Sequence, residues 1–281
     1  MSGPAVNTIK HHANDFAGKV VFITGAGSGI GRATAHILAG RGASISLIDV
    51  RGGVAAEAAK QIEHDHGVQS VGISCDTSEY AQVRQAVERT VSELGGLHCA
   101  LNAAGLPAYI GKGTFIGDYD IEEWKRIMDV NANGVFYCVK EQLNHMVRTN
   151  TRGSIVNVSS IAGVRPLWLG SAYVAAKHAV IGITQSASLE YCQFGIRTNT
   201  IAPGFVDTPQ LRAGGTETHE ACVKTTPLGH IGRPEEIGEL AAFLLSDKAS
   251  YITGATHLID GGWYTAGPGP LNREDAPKTR E

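Results

Sequence analysis

The sequence predicts an α/β fold in a single domain, a parallel β-sheet doubly wound with helices on both faces. Three observations carry that expectation. Short β-branched runs alternate with longer helical patterns along most of the 281 residues. The strand-like runs are apolar on both faces, as strands covered by helices on each side are. Glycine is plentiful, at 35 residues, which suits the many tight turns that lead from strand to helix.

The elements follow in order. "KVVFIT" (19–24) opens as a strand, and a helix follows over 29–40. "SISLID" (44–49) is the second strand, with a helix at 53–66; "SVGISC" (70–75) is the third, with a helix at 79–94. "LHCALN" (97–102) is the fourth. Past a loop come a long helix at 120–148, the strand "SIVNVSS", a helix from Ser171, the strand "IRTNTIA", a helix at 234–246 and a last strand "THLID". This beat is that of a doubly wound sheet in one domain over 16–263. Residues 207–232, "DTPQLRAGGTETHEACVKTTPLGHIG", break it as a polar, glycine-rich excursion of the kind that forms a substrate lid. The ends, 1–15 and 264–281, are expected to be flexible tails.

Composition excludes several classes. The formal net charge is −3 and the basic residues are scattered singly, so no nucleic-acid surface is indicated. Cys75, Cys99, Cys138, Cys192 and Cys222 are widely spaced and odd in number, which suits reduced core thiols rather than a disulfide frame. The opening "MSGPAVNTIKHHANDF" has no apolar leader core, and no apolar run approaches the ~18 residues of a membrane span. A soluble cytoplasmic protein without membrane partners is expected. His11, His12, His64, His66, His219 and His230 lack structural zinc spacing and read as surface residues, so no metal is expected.

Two constellations carry chemistry. After the first strand, "TGAGSGIG" sets Gly25, Gly29 and Gly31 in a G-x-x-x-G-x-G spacing. Glycines there let the backbone approach a pyrophosphate at a helix N-terminus, where free N–H groups favour an anion. Asp49 ends the second strand, 20 residues after Gly29, where a carboxylate accepts from ribose hydroxyls and repels a 2′-phosphate. NAD is therefore the expected coenzyme. Arg51, which can accommodate that phosphate, keeps NADP as the alternative. Asp76, after the third strand, is placed to meet an adenine ring, or else a helix N-cap forms through Asp76 or Ser78. The second constellation is Tyr173 and Lys177, one helical turn apart and so on one face. A free phenol titrates at about 10, and a neighbouring ammonium favours its phenolate. Ser160 lies 13 residues before Tyr173, at a strand end where ligands of open α/β sheets bind.

The ordered motifs TGxxxGIG (24–31), NAAG (102–105), Asn131 in "NANGVF", Ser160, YxxxK (173–177) and "APGFVDT" (202–208) closely resemble the short-chain dehydrogenase/reductases. The resemblance spans about 18–263. It implies a Rossmann fold, with Tyr173 as general acid/base, Lys177 lowering its pKa and holding the nicotinamide ribose, Ser160 bonding the substrate oxygen, and Asn131 supporting a water in the proton relay. Asn102 and Gly105 resemble the segment that braces the sheet and borders the adenosine ribose, while Pro203, Gly204, Val206 and Thr208 would grip the nicotinamide carboxamide. Cofactor contacts are also implied for Gly25, Ser28, Gly29, Ile30, Gly31, Asp49, Asp76, Thr77, Tyr173 and Lys177. Ala103 and Ala176 depart from common family residues without removing a functional group.

The implied activity is hydride transfer between NAD(H) and a hydrophobic secondary alcohol or ketone, cyclic or steroid-like compounds included. Substrate-facing stretches are expected in "LPAYIGKG", "VRPLWLG" and "FVDTPQLR", with Arg165 and Arg212 as anion-binding candidates. Arg165 and Trp168 fit substrate contact or subunit contact equally. "IDGGW" (259–263) reads as organising the fold. Two alternatives stand: an epimerase, dehydratase or cyclase on the same scaffold, and a nucleotide-sensing binding protein. The long helices resemble those that pair in the family's homodimers and homotetramers.

Overall fold

The computed structural model describes residues 14–108 and 113–266. The expected tails fall almost wholly outside them, as do residues 109–112 of "LPAYIGKG". At the boundaries, Asp15 pairs with Arg41, and Trp263–Ala266 forms a short helix.

Seven parallel strands form one sheet: β1 (Val20–Thr24), β2 (Ser44–Asp49), β3 (Ser70–Ser74), β4 (Cys99–Asn102), β5 (Ser154–Val158), β6 (Arg197–Pro203) and β7 (Thr256–Ile259). Their spatial order is β3-β2-β1-β4-β5-β6-β7, so the winding reverses between β1 and β4. The helices are α1 (Gly29–Ala39), α2 (Gly52–His66), α3 (Tyr80–Leu94), α4 (Ile121–Met128), α5 (Gly134–Arg148), α6 (Ser171–Tyr191), α7 (Pro209–Arg212), α8 (Gly215–Thr225), α9 (Pro234–Leu245) and α10 (Trp263–Ala266).

Period-2 geometry splits the strand residues between two cores. Val21 and Ile23 of β1, Leu47 of β2 and Val156 of β5 pack against Leu38 of α1, Ile62 of α2 and Leu244 of α9. Phe22, Ile48 and Ile155 point the other way, onto Val83 of α3, Leu143 of α5 and Val180 of α6. All of these side chains are buried. Both sheet faces are thus dry, which is why the central strands read as continuous apolar runs. Local chemistry fixes the ends of the helices. Gly67 and Gly95, with φ of 66° and 83°, stop α2 and α3 in the left-handed conformation that costs glycine little. The Asp120 carboxylate accepts the Glu123 N–H at 2.8 Å and so caps α4.

Two elements differ from the sequence expectation. The helix expected over 120–148 contains a wide π-turn at Asp129–Asn133. The excursion at 207–232 is not a plain loop, because α7 and α8 lie within it. Its base is closed by a parallel bridge between Val206 and Gly232. Four of the five cysteines are buried as expected, but Cys192 is exposed. Burial pushes the Cys99 and Cys222 thiols up to about 11, which keeps them unreactive.

Candidate active site

A cleft of about 1530 Å³ opens along the carboxyl ends of β1, β2, β4, β5 and β6. It lies at the point where the strand order reverses, the place where open α/β sheets hold ligands. Each wall follows from local sequence.

The floor beside β1 is backbone. Gly25 and Gly29 adopt φ of 65° and 53°, which a side chain at either position would strain. A Cβ on Gly25 would also meet Ala103 O and the Ala104 backbone at 3.0 Å. That close approach is held by Thr24, whose Oγ1 accepts the Ala103 and Ala104 N–H groups at 3.0 Å. The turn at the start of α1 fits a pyrophosphate, since Gly25, Ser28, Gly29, Ile30 and Gly31 line the cleft there and the glycines let a ligand approach the backbone at the start of a helix. Asp49 closes this end. Its Oδ2 accepts the Gly27 N–H at 3.0 Å, and its Oδ1 accepts the Arg51 N–H and Nε at 3.0 Å. The Arg51 guanidinium, a candidate for a 2′-phosphate, is therefore engaged by the carboxylate beside it. Asp76 is turned to its own loop, where Oδ1 accepts both the N–H and the hydroxyl of Ser78. Neither residue is the N-cap of α3; Glu79 occupies that position.

The opposite wall is built from side chains. Ser160, two residues past the end of β5, caps a 3₁₀ turn, Ile161–Gly163, with its Oγ accepting the Ala162 N–H at 3.1 Å. The turn sits so tightly on α6 that a Cβ on Gly163 would lie 2.6 Å from Lys177 O. Ser159 donates to that carbonyl at 2.7 Å, and Lys177 Nζ donates to Val158 O at 3.0 Å. Two hydrogen bonds thereby tie the end of β5 to α6. They engage Ser159 and Lys177 and leave Ser160 as the serine that acts on the Tyr173 phenol.

The electrostatics differ from the sequence expectation. Burial raises the Tyr173 phenol above its ordinary value, partly opposed by the Ser160 hydrogen bond. Burial also pulls Lys177 down to about 8. The Lys177 nitrogen lies 5.5 Å from the centroid of the Tyr173 ring and bonds a carbonyl rather than the phenol oxygen. In this state the desolvation of Tyr173 outweighs the hydrogen bond from Ser160.

Of the expected site residues, Gly25, Ser28, Gly29, Ile30, Gly31, Asp49, Asp76, Thr77, Gly105, Ser160, Tyr173, Lys177, Pro203, Gly204, Val206 and Thr208 all line the cleft. Thr208 reaches across it: its Cγ2 lies 3.0 Å from where a Cβ on Gly29 would stand. Asn102 and Asn131 are the exceptions, both buried behind the wall. Asn102 Nδ2 donates to Gln142 Oε1 at 3.0 Å and to Asn157 Oδ1 at 2.8 Å, and its Oδ1 accepts from Gln142 at 2.8 Å. It braces β4 but does not border the cleft. Asn131, set in the π-turn, accepts the Leu106 N–H at 2.7 Å and donates to Leu106 O at 3.1 Å. It positions the Gly105–Leu106 strip: a Cβ on Gly105 would stand 2.9 Å from Asn131 Oδ1 and 3.6 Å from Lys177 Nζ.

Both anion-binding candidates are occupied. Arg212 donates to the Asp207 carboxylate at 2.7 and 2.8 Å, and Arg165 stacks 5.3 Å from the Trp263 ring while donating to Tyr264 O. Trp168 is exposed, edge-on to Phe115. Sequence reasoning missed a charged stretch of cleft wall from α4 and its π-turn, Glu122, Lys125, Arg126 and Asp129. Their i, i+3 and i+4 spacing was the available signal.

The chain matches the family described as enoyl-(acyl carrier protein) reductase over residues 25–264. It is 40% identical over 255 residues to a cyclohexanol dehydrogenase of Acinetobacter sp. (strain SE19), covering 89% of this chain and 97% of that one. Among solved structures, levodione reductase superposes with a TM-score of 0.84 at 34% identity, over 90% of this chain and all of the other. A 3-oxoacyl-[acyl-carrier protein] reductase from Brucella melitensis with bound NAD superposes at 0.82 and 32% identity, over 90% and 94% of the two chains.

Proposed function

The chain belongs to the short-chain dehydrogenase/reductase family of oxidoreductases, and from that premise we propose that it passes a hydride between NAD(H) and a hydrophobic cyclic secondary alcohol or its ketone. One observation carries the reading. Ser160 and Tyr173, close enough for the serine to lower the proton affinity of the phenol, line the same cleft as the glycine turn and Asp49. Similarity to a cyclohexanol dehydrogenase and to levodione reductase supports a ring-shaped substrate, and the apolar lining of Leu106, Ile161, Leu167 and Phe205 suits one.

When bound, the nicotinamide dinucleotide supplies the hydride acceptor or donor. The residues of this chain do the rest. The turn from Gly25 to Gly31 receives the pyrophosphate, and Asp49 receives the adenosine ribose and disfavours a 2′-phosphate. Asp76 and Thr77 border the adenine, and 203–208 border the nicotinamide. In oxidation, the Tyr173 oxygen takes the proton of the substrate hydroxyl; in reduction it returns that proton to the carbonyl oxygen. Ser160 donates to the same substrate oxygen and stabilises charge developing there. Lys177 carries its ammonium below about pH 8, and in that form it favours the phenolate and holds the nicotinamide ribose. Asn131 is a positioning residue, since both ends of its amide are held by Leu106. Each end of the amide keeps one further position, an N–H and a lone pair, through which it would support a water.

Residues 207–232 act as the substrate lid on one catalytic domain, 16–263. Phe136 of α5 and Leu189 of α6 are exposed, at 47% and 80%, and pairing of these helices would cover them in a homodimer or homotetramer. No helix among the described residues is long and apolar enough to cross a membrane, which suits a cytoplasmic setting.

The test is a spectrophotometric panel of cyclic alcohols and ketones with both coenzymes. Reduced nicotinamide should form in step with ketone product, faster with NAD than with NADP. Conversion of substrate with no net change in nicotinamide would favour the epimerase class instead. Dinucleotide binding without turnover of any compound would favour a sensor.

A further inference from the structure

Away from the cleft, at the carboxyl ends of α1 and α2, His36, Asp65 and His66 converge. Each offers one ligand atom, and the three atoms lie within 4.8 Å of one another. We propose that these residues form a surface site for a divalent ion of the zinc class, bound by two imidazole nitrogens and one carboxylate oxygen, with water completing the shell. The site departs from the sequence expectation, which read His64 and His66 as surface residues and expected no metal.

Four observations carry it. His36 Nδ1 and His66 Nε2 share a hydrogen bond at 3.2 Å, and an ion would take the place of its proton. Two imidazole nitrogens bound at about 2.0–2.1 Å to a tetrahedral zinc ion stand about 3.3–3.5 Å apart, so the pair is already close to ligand spacing. The rings meet edge to face, at 67°, so the two nitrogens converge without stacking of the rings. The carboxylate is oriented: Asp65 Oδ1 receives Gln61 Nε2 at 2.8 Å and the His64 ring at 3.0 Å. Outer contacts of this kind fix ligating carboxylates in metal sites. Finally, all three residues lie in the last turns of their helices, where carbonyl ends gather partial negative charge that favours a cation. Glu63, the other acid on that turn of α2, is committed to the Ser70 N–H and is left out of the ligand set.

The site joins two helices on one face of the sheet. A bound ion would cross-link them and stabilise the folded chain by mass action without touching the chemistry at Tyr173. Zinc titrated into the full-length chain by calorimetry, with Co(II) absorption as a geometric readout, tests this. One equivalent should bind at the site, raise the thermal midpoint, and give the intense visible bands of a tetrahedral cobalt centre. His36→Gln and His66→Gln, each checked for native circular dichroism, should both weaken that binding at least tenfold and abolish the midpoint shift. His64→Gln should weaken it less. Wild-type affinity in either ligand variant, or no uptake of zinc by the native chain, overturns the proposal.

Discussion

Beneath the cleft, Asn102 of β4, Asn157 of β5 and Thr184 of α6 are fully buried and bonded in series, and Thr198 of β6 donates to the Thr184 carbonyl at 3.1 Å. Above the cleft, α7 and α8 cover it with a small core of Leu211, Cys222 and Ile231, backed by Phe205 and Val223. The two regions face the same cavity and differ in what holds them. A buried polar chain has one arrangement that satisfies every donor, so any shift of β4, β5 or α6 leaves a group unpaired. A small apolar cluster over an exposed segment gives way for much less, and such segments are the ones that open to admit ligands. The lower region therefore keeps Ser160, Tyr173 and Lys177 in register, and the upper region is the one that, as the proposed lid, would give way to a substrate.

The comparison breaks most visibly at the chemistry the lower region serves. Tyr173→Phe removes the proposed proton carrier and leaves the phenyl packing in place. Turnover should fall by about 10²–10⁴-fold, the usual worth of a positioned acid or base, while dinucleotide affinity by fluorescence titration stays near that of the parent. Equal loss of affinity and turnover would mean that the hydroxyl serves binding instead.

The next effect is on stability. Asn157→Ala strips Asn102 of one acceptor and Thr184 of one donor, and each buried partner left unpaired costs about 1–3 kcal/mol. Urea unfolding should report the loss, with kcat falling as β5 and α6 lose their common register. An unchanged midpoint would show that the buried chain is not what fixes the frame. Leu211→Ala in the upper region should do the reverse, raising KM severalfold and lowering the thermal midpoint by no more than the ~2–4 °C that corresponds to about 1 kcal/mol in a chain of this size. A larger drop would place the cover within the cooperative core and erase the contrast.

Much of this was legible in the residue order. The alternation of apolar runs located all seven strands, and glycines at 25, 29 and 31 marked the turn that lines the cleft. Ser160, Tyr173 and Lys177 were legible because helical spacing sets the last two on one face, a strand end lies near the first, and their order with the other motifs resembles the family's. Other features were not. The π-turn at 129–133 has no periodicity of its own in so short a span, yet it aims Asn131 at Leu106 and away from the cleft. α7 and α8 were hidden because their glycine and polar residues favour turns locally, and helix forms there only with the tertiary support of Leu211 and Cys222. Asp49 ends β2 as the apolar pattern predicts, but its hold on Gly27 and Arg51 depends on how the β1 turn folds back over β2.

By itself the sequence determined the layering of the chain and the edge at which its reactive groups gather, because side-chain period and turn chemistry act over a few residues. Tertiary structure alone decided which polar groups face the cleft and which stand behind it. It also decided how burial sets the proton affinities of Tyr173 and Lys177, and that His36 meets His66 across two helices. Those outcomes depend on desolvation and on contacts between residues remote in the chain, and neither is encoded in local spacing.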